Sequence, residues 1–404
     1  MEPMNQEGLR GFFEQYLKNE PLFLDKGVFK GSYLPESISH RETQIQHIAK
    51  ILAPLLRQEK PSNLFIYGKT GAGKTMSVKY VLKDMQEAAK TNQLPLRVLY
   101  LNCKLKRVAD TEYRLIAQLS REFGKEIPST GLPTDEVYKI FFNAVRQDAK
   151  PTLLVLDEID QLVKKTGDAV LYNLTRCNED MQNTVSLVGL SNDMVFIDNL
   201  DPRVRSSLSE EELVFPPYNA LQIQDILKQR AAKAFREGTI QPGAIEKCAA
   251  YAAREHGDAR RALELLRVAG ELAERDGAKQ ITIDFIDKAE EKIERDRILD
   301  IAVTQPKQSQ CILYSVLLLA ERKKENIFTG EIYEQYKILC DRVGLRPLTQ
   351  RRISDVIAEL DMIGVISAKV ISKGRYGRMR EVCLAVGQAS AANIQALLKK
   401  ELGV

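Results

Sequence analysis

Cysteine and histidine are scarce and scattered in this sequence, and that scarcity removes several classes of protein at once. Six cysteines stand at 103, 177, 248, 311, 340 and 383 with no C-x-x-C pair, and the 404 residues include only three histidines. The ligand spacing of a structural zinc site is missing, as is the dense framework of a disulfide-stapled secreted domain. Long apolar runs are missing too. The longest, Cys311 to Ala320, is far too short to cross a bilayer. The acidic, polar opening Met1-Glu2-Pro3-Met4-Asn5-Gln6-Glu7 has none of the features of a signal peptide. No membrane partner is expected, and the expected location is cytoplasmic.

A large net charge is also lacking, because the whole chain sums to +4. Its distribution is more informative. From Ile301 onward there are 16 Lys and Arg against 10 Asp and Glu, a net of +6, which leaves the preceding residues at about −2. A basic C-terminal quarter on a near-neutral chain points to a nucleic-acid-binding end.

What is present is organised around Gly68-Lys69-Thr70-Gly71-Ala72-Gly73-Lys74-Thr75, which matches G-x-x-x-x-G-K-[ST] at every fixed position. Asn63 to Tyr67 reads as a buried strand before it, and Met76 to Ala89 as an amphipathic helix after it. In that context the glycines let successive backbone N–H groups and the helix N-terminus face a β-phosphate. Lys74 then reaches the β and γ oxygens, and Thr75 offers its hydroxyl to Mg²⁺. ATP or ADP with Mg²⁺ is therefore the expected cofactor.

Two further strands are expected at Leu96 to Asn102 and Leu153 to Leu156, the second running into Asp157-Glu158-Ile159-Asp160. Asp157 is placed to hold the Mg²⁺ hydration shell and Glu158 to polarise an attacking water. A fourth strand, Val185 to Leu190, ends in Ser191-Asn192-Asp193, where Asn192 either senses a γ-phosphate or serves turn chemistry. Strands alternating with helices, with chemistry at their carboxyl ends, make a parallel α/β sheet. A helix is expected from Thr43 to Leu56. Between Asn102 and Thr152 lie two helices, Thr111 to Phe123 and Thr134 to Asp148, either an ordinary excursion on the sheet edge or an inserted functional element.

The composition changes at Phe215-Pro216-Pro217-Tyr218-Asn219. Only helices follow, at Ala220 to Phe235, Gly243 to His256, Asp258 to Arg275 and Thr282 to about Ile301. The third opens with Arg260-Arg261, either solvated or reaching back toward phosphate. After Gln305-Pro306-Lys307 come helices at Gln310 to Lys324, Gly330 to Val343 and one capped by Thr349. Strands Val365 to Ser372 and Glu381 to Val386 follow, joined by Lys373-Gly374-Arg375-Tyr376-Gly377-Arg378-Met379-Arg380. Three helices and a basic hairpin make a winged helix, a helix-turn-helix variant. Arg351 and Arg352 then face a major groove or its phosphates. The tip, with Lys373, Arg375, Tyr376, Arg378 and Arg380, lies along the backbone or minor groove. Double-stranded DNA is the expected partner.

With these motifs in their order, the chain from about Leu34 to Val386 resembles the archaeal replication initiators related to the eukaryotic origin recognition complex and its cell-division-cycle partner, members of the AAA+ ATPases. The likeness rests on Pro35 with His40-Arg41-Glu42, Gly68 to Thr75, Leu156-Asp157-Glu158 and Gly189 to Asn192. It continues through Asp201-Pro202-Arg203-Val204-Arg205-Ser206-Ser207-Leu208, Gly257 to Leu263 and the winged helix. The resemblance implies an arm over 1–34, an AAA+ domain over 35–217 with an initiator-type insertion at about 103–133, a helical lid over 218–301 and a winged helix over 306–404. It also implies that His40 and Arg41 lie on the adenine side, with Tyr218 among the nucleotide contacts, that Asn192 is a first sensor and that Arg260 is a second-sensor arginine on the lid. Ser206-Ser207-Leu208 stands where many relatives carry Ser-Arg-Cys, so Arg203 or Arg205 becomes the candidate arginine supplied to a neighbouring subunit.

The implied function is ATP-regulated binding and distortion of origin DNA, with slow hydrolysis as a switch. A replicative helicase and paralogous initiators are the implied further partners. A winged-helix transcriptional regulator under ATPase control is the alternative. A clamp-loader subunit is expected to end in a helical collar, and a purely structural scaffold has no use for Glu158.

Overall fold

A computed structural model describes residues 20–404 apart from 105–109, 129–130, 149, 177–184, 209, 323–326 and 373–377. Contacts divide the chain into two compact units, one up to Ile286 and one from Asp287.

The first unit is built on five parallel strands: β1 (Asn63–Tyr67), β2 (Arg97–Asn102), β3 (Thr152–Asp157), β4 (Val185–Ser191) and β5 (Glu210–Val214), in the order β2-β3-β4-β1-β5. β1, β3 and β4 are buried along their whole length, as expected of strands covered on both faces by crossover helices. The register sets Asp157 beside Leu190 and Ser191 beside Tyr67, so the functional ends of three strands share one edge. Helix α1 (Glu42–Leu52) and α2 (Lys74–Thr91) cover one face through Ile48, Leu52, Val78 and Leu82.

The opposite face is covered by α3 (Glu112–Glu122) and α4 (Thr134–Asp148), with α5 (Ile159–Thr166), α6 (Ala169–Arg176) and α7 (Pro202–Leu208) following in turn. Leu115, Ile116, Leu119, Phe141 and Val145 bury the inner faces of α3 and α4 in this core. These two helices are therefore part of the packed fold.

Several expectations need correction. The helix expected to Leu56 stops at Leu52 and continues as a 3-10 turn over Ala53–Arg57, because Pro54 has no N–H to extend the α ladder. Strand β5 was not anticipated. Its Glu-rich sequence lacks an apolar run, yet an edge strand bonded only to β1 tolerates such residues.

Four lid helices were expected; the first unit contains α8 (Ala220–Ala234), α9 (Ala244–Arg254) and α10 (Ala259–Arg275). The fourth, α11 (Ile283–Thr304), runs through the division at Ile286 and so does not belong to the lid as a whole. Asn219 caps α8 in a reciprocal capping box with Gln222, and Asp258 caps α10. The stretch just before Leu34 packs on the lid through Phe23, Phe29 and Phe235.

The second unit contains α12 (Lys307–Arg322), β6 (Ile327–Phe328), α13 (Thr329–Val343), α14 (Gln350–Ile363), β7 (Ile366–Ser372), β8 (Arg378–Leu384) and α15 (Gln388–Leu402). Its three strands pair antiparallel in the order β6-β8-β7. The two-residue β6 and the C-terminal helix α15 are additions to the expected hairpin and three helices. β8 begins at Arg378, opposite Ser372, so Arg378, Met379 and Arg380 lie in a strand and not in the loop where they were expected. Among the described residues no helix is long and apolar enough to cross a membrane.

Candidate nucleotide-binding site

The loop between β1 and α2 curls at the carboxyl edge of the sheet. Gly71 has φ 76°, and a Cβ there would lie 1.8 Å from Asp258 Oδ1 of the lid. Gly73, at φ 90°, would place a Cβ 2.7 Å from the Tyr218 hydroxyl. Only glycine allows this backbone to run so close beneath the lid.

Lys74 is the first residue of α2 and is 6% exposed. Its Nζ donates to Gly68 O at 2.5 Å, Lys69 O at 3.0 Å and Asn192 Oδ1 at 2.9 Å. Burial pushes its pKa down to about 8, with the Asp157 carboxylate opposing and Arg260 adding to the shift. A polyanion beside this ammonium would favour its charged form.

Asp157 is 5% exposed and receives the Thr75 hydroxyl on Oδ2 at 3.1 Å. The Tyr100 hydroxyl donates to the same oxygen. Glu158 caps α5 in the left-handed region at φ 57°, a conformation that costs a side-chain-bearing residue roughly 1–2 kcal/mol. Its Oε2 lies 3.8 Å from Lys104 Nζ. Asp160, 2% exposed, accepts from Ser191 Oγ and the Asn192 N–H, each at 3.4 Å, and so holds the turn at Ser191-Asn192.

Two adjoining cavities share Gly71, Gly73, Thr75 and Arg260. The smaller, about 80 Å³, is lined by Lys74, Asp157, Glu158, Asn192 and Lys104 as well. The larger, about 370 Å³, is bounded by Leu34, Pro35, Ile38, Tyr218, Ile226 and Leu263 among others. A charged compartment joined to an apolar one suits a ligand with a polyanionic end and a planar, weakly polar end. The Thr75 hydroxyl and Asp157 carboxylate offer the hard oxygen donors that Mg²⁺ prefers. With nucleotide and Mg²⁺ bound there, Thr75 and Asp157 would hold the metal, which would supply charge neutralisation to the phosphates; Lys74 and the loop N–H groups would orient them, and Glu158 would be the carboxylate placed to take a proton from water.

Lys69, Thr70 and Ala72 are in the curled loop, with Ala72 O accepting from Arg41 Nε at 2.9 Å. Neither His40 nor Arg41 lines either of these two cavities. His40, at φ 62°, is 3.1 Å from Asp225, and the Arg41 guanidinium is engaged by backbone carbonyls and the Tyr218 ring. The residues before them, Leu34 to Ser39, form the apolar wall instead. Arg203 and Arg205 line neither cavity and pair with Asp201 and Asp198 at 3.8 and 3.2 Å on the exposed surface.

Sequence reasoning also missed Tyr100, Lys104 and the role of Asp160. Tyr100 faces the site only because β2 lies beside β3, which no local pattern announces.

In the second unit, Arg351 and Arg352 are exposed in the first turn of α14, where Thr349 caps the helix and Asp355 lies 3.6 Å from Arg352. Arg380 Nη1 donates to Ser354 O at 2.7 Å, tying β8 to α14. Lys373, Arg375 and Tyr376 lie outside the described residues.

Fold and site together define an AAA+ P-loop ATPase module with a helical lid, followed by a winged helix. Family models agree region by region: an AAA domain over 57–193, the Cdc6 AAA+ ATPase-type lid domain over 224–291 and the CDC6 C-terminal winged helix domain over 300–393. The chain is 49% identical over 396 residues to the ORC1-type DNA replication protein of Thermococcus onnurineus, covering 97% of this chain and 95% of that one. To its counterpart from Pyrococcus abyssi it is 50% identical over 387 residues, covering 95% and 92%. The Aeropyrum pernix ORC1 protein, solved in complex with DNA, superposes with a TM-score of 0.81 at 42% identity, covering 94% of this chain and 97% of that one. Cdc6p of Pyrobaculum aerophilum, at 21% identity and a TM-score of 0.60, shares the fold. The chain belongs to the ORC1-type DNA replication proteins, the archaeal initiators of the origin-recognition and Cdc6 family.

Proposed function

We propose that this protein binds duplex origin DNA under the control of bound ATP and thereby initiates replication. The observation that carries the nucleotide half is the meeting of Arg260, from the lid, with Lys74, Asp157, Glu158 and Asn192 around one cavity. An arginine on the lid and a lysine on the sheet edge, both facing the phosphates, make lid angle depend on the nucleotide state. The DNA half is supported by the basic second unit and by the Aeropyrum relative solved with DNA. In this reading Arg351 and Arg352 take the major groove or its phosphates and the basic hairpin from Lys373 takes the backbone or minor groove, while the excursion after Asn102 adds a second grip.

Hydrolysis is slow and acts as a timer, with Glu158 as general base. Arg203 or Arg205 is the arginine available to a neighbouring copy, and a replicative helicase and paralogous initiators are the partners recruited. The protein acts in the cytoplasm on the nucleoid.

The test is affinity for origin and random duplexes across a salt series, with ATP and with ADP. Origin DNA is expected to bind more tightly with a steep negative salt slope, and Arg351→Ala to reduce that slope by about 1. Equal affinity for all duplexes in both nucleotide states overturns the reading. Protection of promoters in a footprint would indicate the regulator instead.

A further inference from the structure

The segment before Arg41 is bonded to the lid along its length. Glu274 of α10 accepts the N–H groups of Leu22 and Phe23 on Oε1 at 3.0 and 3.3 Å and Lys26 Nζ on Oε2 at 2.8 Å. Ala234 O accepts from Leu24 at 2.8 Å, and Arg236 N donates back to Leu22 O at 3.0 Å. The Phe23 ring lies 4.4 Å from that of Phe235, over Gly270, where a Cβ would come within 2.7 Å of Phe23. Further along, Arg230 donates to Val28 O at 3.3 Å, Lys233 meets Glu36 at 3.0 Å, and Ser39 bonds Gln229 at 3.1 Å. Every one of these partners lies on α8, on α10 or just past the end of α8. Against the core helix α2 the segment has an exposed bond, Tyr80 Oη to Glu36 O at 3.2 Å.

The chain thus passes between lid and core twice, at His40-Arg41 and at Phe215 to Tyr218. Arg41, 2% exposed, joins the two passages. Its Nη2 donates to Pro216 O at 2.5 Å, its Nη1 to His40 O at 3.0 Å, and its Nε to Ala72 O in the phosphate loop at 2.9 Å. The guanidinium stacks 3.8 Å from the Tyr218 ring centre. The planar fork of arginine bonds three carbonyls in fixed directions, a geometry lysine does not reproduce.

We propose that residues 22–40 belong mechanically to the lid, and that Arg41 is the positioning residue that pins both crossings to the phosphate loop. When the lid turns, the wall formed by Leu34 to Ser39 leaves with it. The larger cavity then opens on two sides together, and nucleotide release is governed at Arg41, a residue that does not line the cavity. The inference rests on nucleotide occupying these cavities.

The test uses full-length protein, N-methylanthraniloyl-ADP and amide hydrogen exchange. In the parent, added ADP should protect residues 22–40 and the helices of the lid to a common extent, leaving β1 and β3 unchanged. Arg41→Lys should release the probe on the order of tenfold faster, because charge-assisted bonds to carbonyls are lost. The shared protection should fall at the same time. A purely structural role would lower the melting temperature of nucleotide-free protein and leave release alone.

Should Arg41→Lys fail to fold, Glu274→Ala, remote from the phosphates, frees residues 22–26 from the lid and should also accelerate release. Protection of residues 22–40 that follows the core sheet overturns the proposal, as does release within about twofold of the parent in the variant that folds. A parent that binds no nucleotide refutes the nucleotide reading itself, and the inference falls with it.

Discussion

The Tyr100 hydroxyl donates to the same Asp157 oxygen, Oδ2, that accepts from Thr75. Burial, reinforced by that carboxylate, raises the Tyr100 pKa, so the phenol remains a donor at every physiological pH. With Oδ2 held by two hydroxyls, the rotation of the Asp157 carboxylate is fixed. Tyr100→Phe keeps the ring and removes one restraint. It should raise the Mg²⁺ concentration needed to tighten ATP binding by roughly tenfold, the usual scale for losing a partner behind a metal ligand. Affinity for ATP in excess chelator should not change. Titrating nucleotide at several Mg²⁺ concentrations checks this, and an unaltered Mg²⁺ requirement would remove Tyr100 from the site.

Lys74 gives a pH dependence whose sign follows from its burial. Its pKa of about 8 lies below the ordinary value of 10.5, so between those pH values the unfolded chain holds a proton that the folded chain has released. Stability of the nucleotide-free protein should therefore rise as pH increases from 8 toward 10.5, through this group alone. Nucleotide reverses the effect, because phosphate charge returns the proton to Lys74. Near pH 9, ADP binding should take up protons, and calorimetry in two buffers of different ionisation enthalpy would read that uptake directly. An apparent enthalpy independent of buffer would show that Lys74 is already charged.

The sequence disclosed the parts of this site that chain connectivity fixes and hid those that depend on neighbouring strands. Gly68 to Thr75 is contiguous, and its spacing alone dictates a phosphate loop; Asp157 and Glu158 follow an apolar strand whose end must lie beside it. Tyr100 and Asp160 carry no such signature, since one serves through strand pairing and the other through contact with the Ser191 turn. The apolar wall from Leu34 to Ser39 escaped for a related reason. The residues that line the cavity, Leu34, Pro35, Ser37, Ile38 and Ser39, are small, apolar or proline, and only the fold of the lid shows what they face. Helices were read to within a few residues where their apolar faces repeat and their caps are polar, as at Asn219 and Thr349. Strand β5 escapes a sequence reading because its acidic residues break the apolar pattern, and the start of β8 at Arg378 escapes it because basic residues at a strand end look like a loop.

Arg97 anchors the excursion between β2 and β3. Its guanidinium makes a two-pronged contact with Asp148 at 2.6 and 2.8 Å, donates to Glu122 O at 3.0 Å and lies over the Phe123 ring. It thus fastens the ends of α3 and α4 to the start of an edge strand. The arginine holds the Asp148 carboxyl below its ordinary pKa. Arg97→Ala should cost roughly 1–2 kcal/mol, reduced from the value for a buried pair because both side chains are partly in water. A depressed carboxyl contributes stability above its unfolded pKa and loses it as pH falls through the folded one. The difference between parent and variant in urea denaturation should accordingly be full at pH 7 and shrink below about pH 4. A gap as wide at pH 3 as at pH 7 would assign the stabilisation to packing over Phe123 instead.

In the second unit, Tyr336 governs the turn that aims α14. The Leu348 N–H donates to its hydroxyl at 3.0 Å, the hydroxyl donates to Gln308 Oε1, and Gln308 Nε2 donates to Arg346 O at 3.0 Å. This relay fixes the backbone between Arg346 and Leu348, immediately before Thr349 caps the helix carrying Arg351 and Arg352. Tyr336→Phe preserves the buried ring and leaves the Leu348 N–H without its acceptor, a loss of about 1–3 kcal/mol in folding stability. Duplex affinity should fall several-fold while the salt slope stays as in the parent, because no phosphate contact is removed. Arg351→Ala should do the reverse, changing the slope and leaving the melting temperature near that of the parent. Measuring both variants by anisotropy over a salt series separates aim from charge. If Tyr336→Phe binds duplex as tightly as the parent at every salt concentration, the turn does not set the orientation of the two arginines.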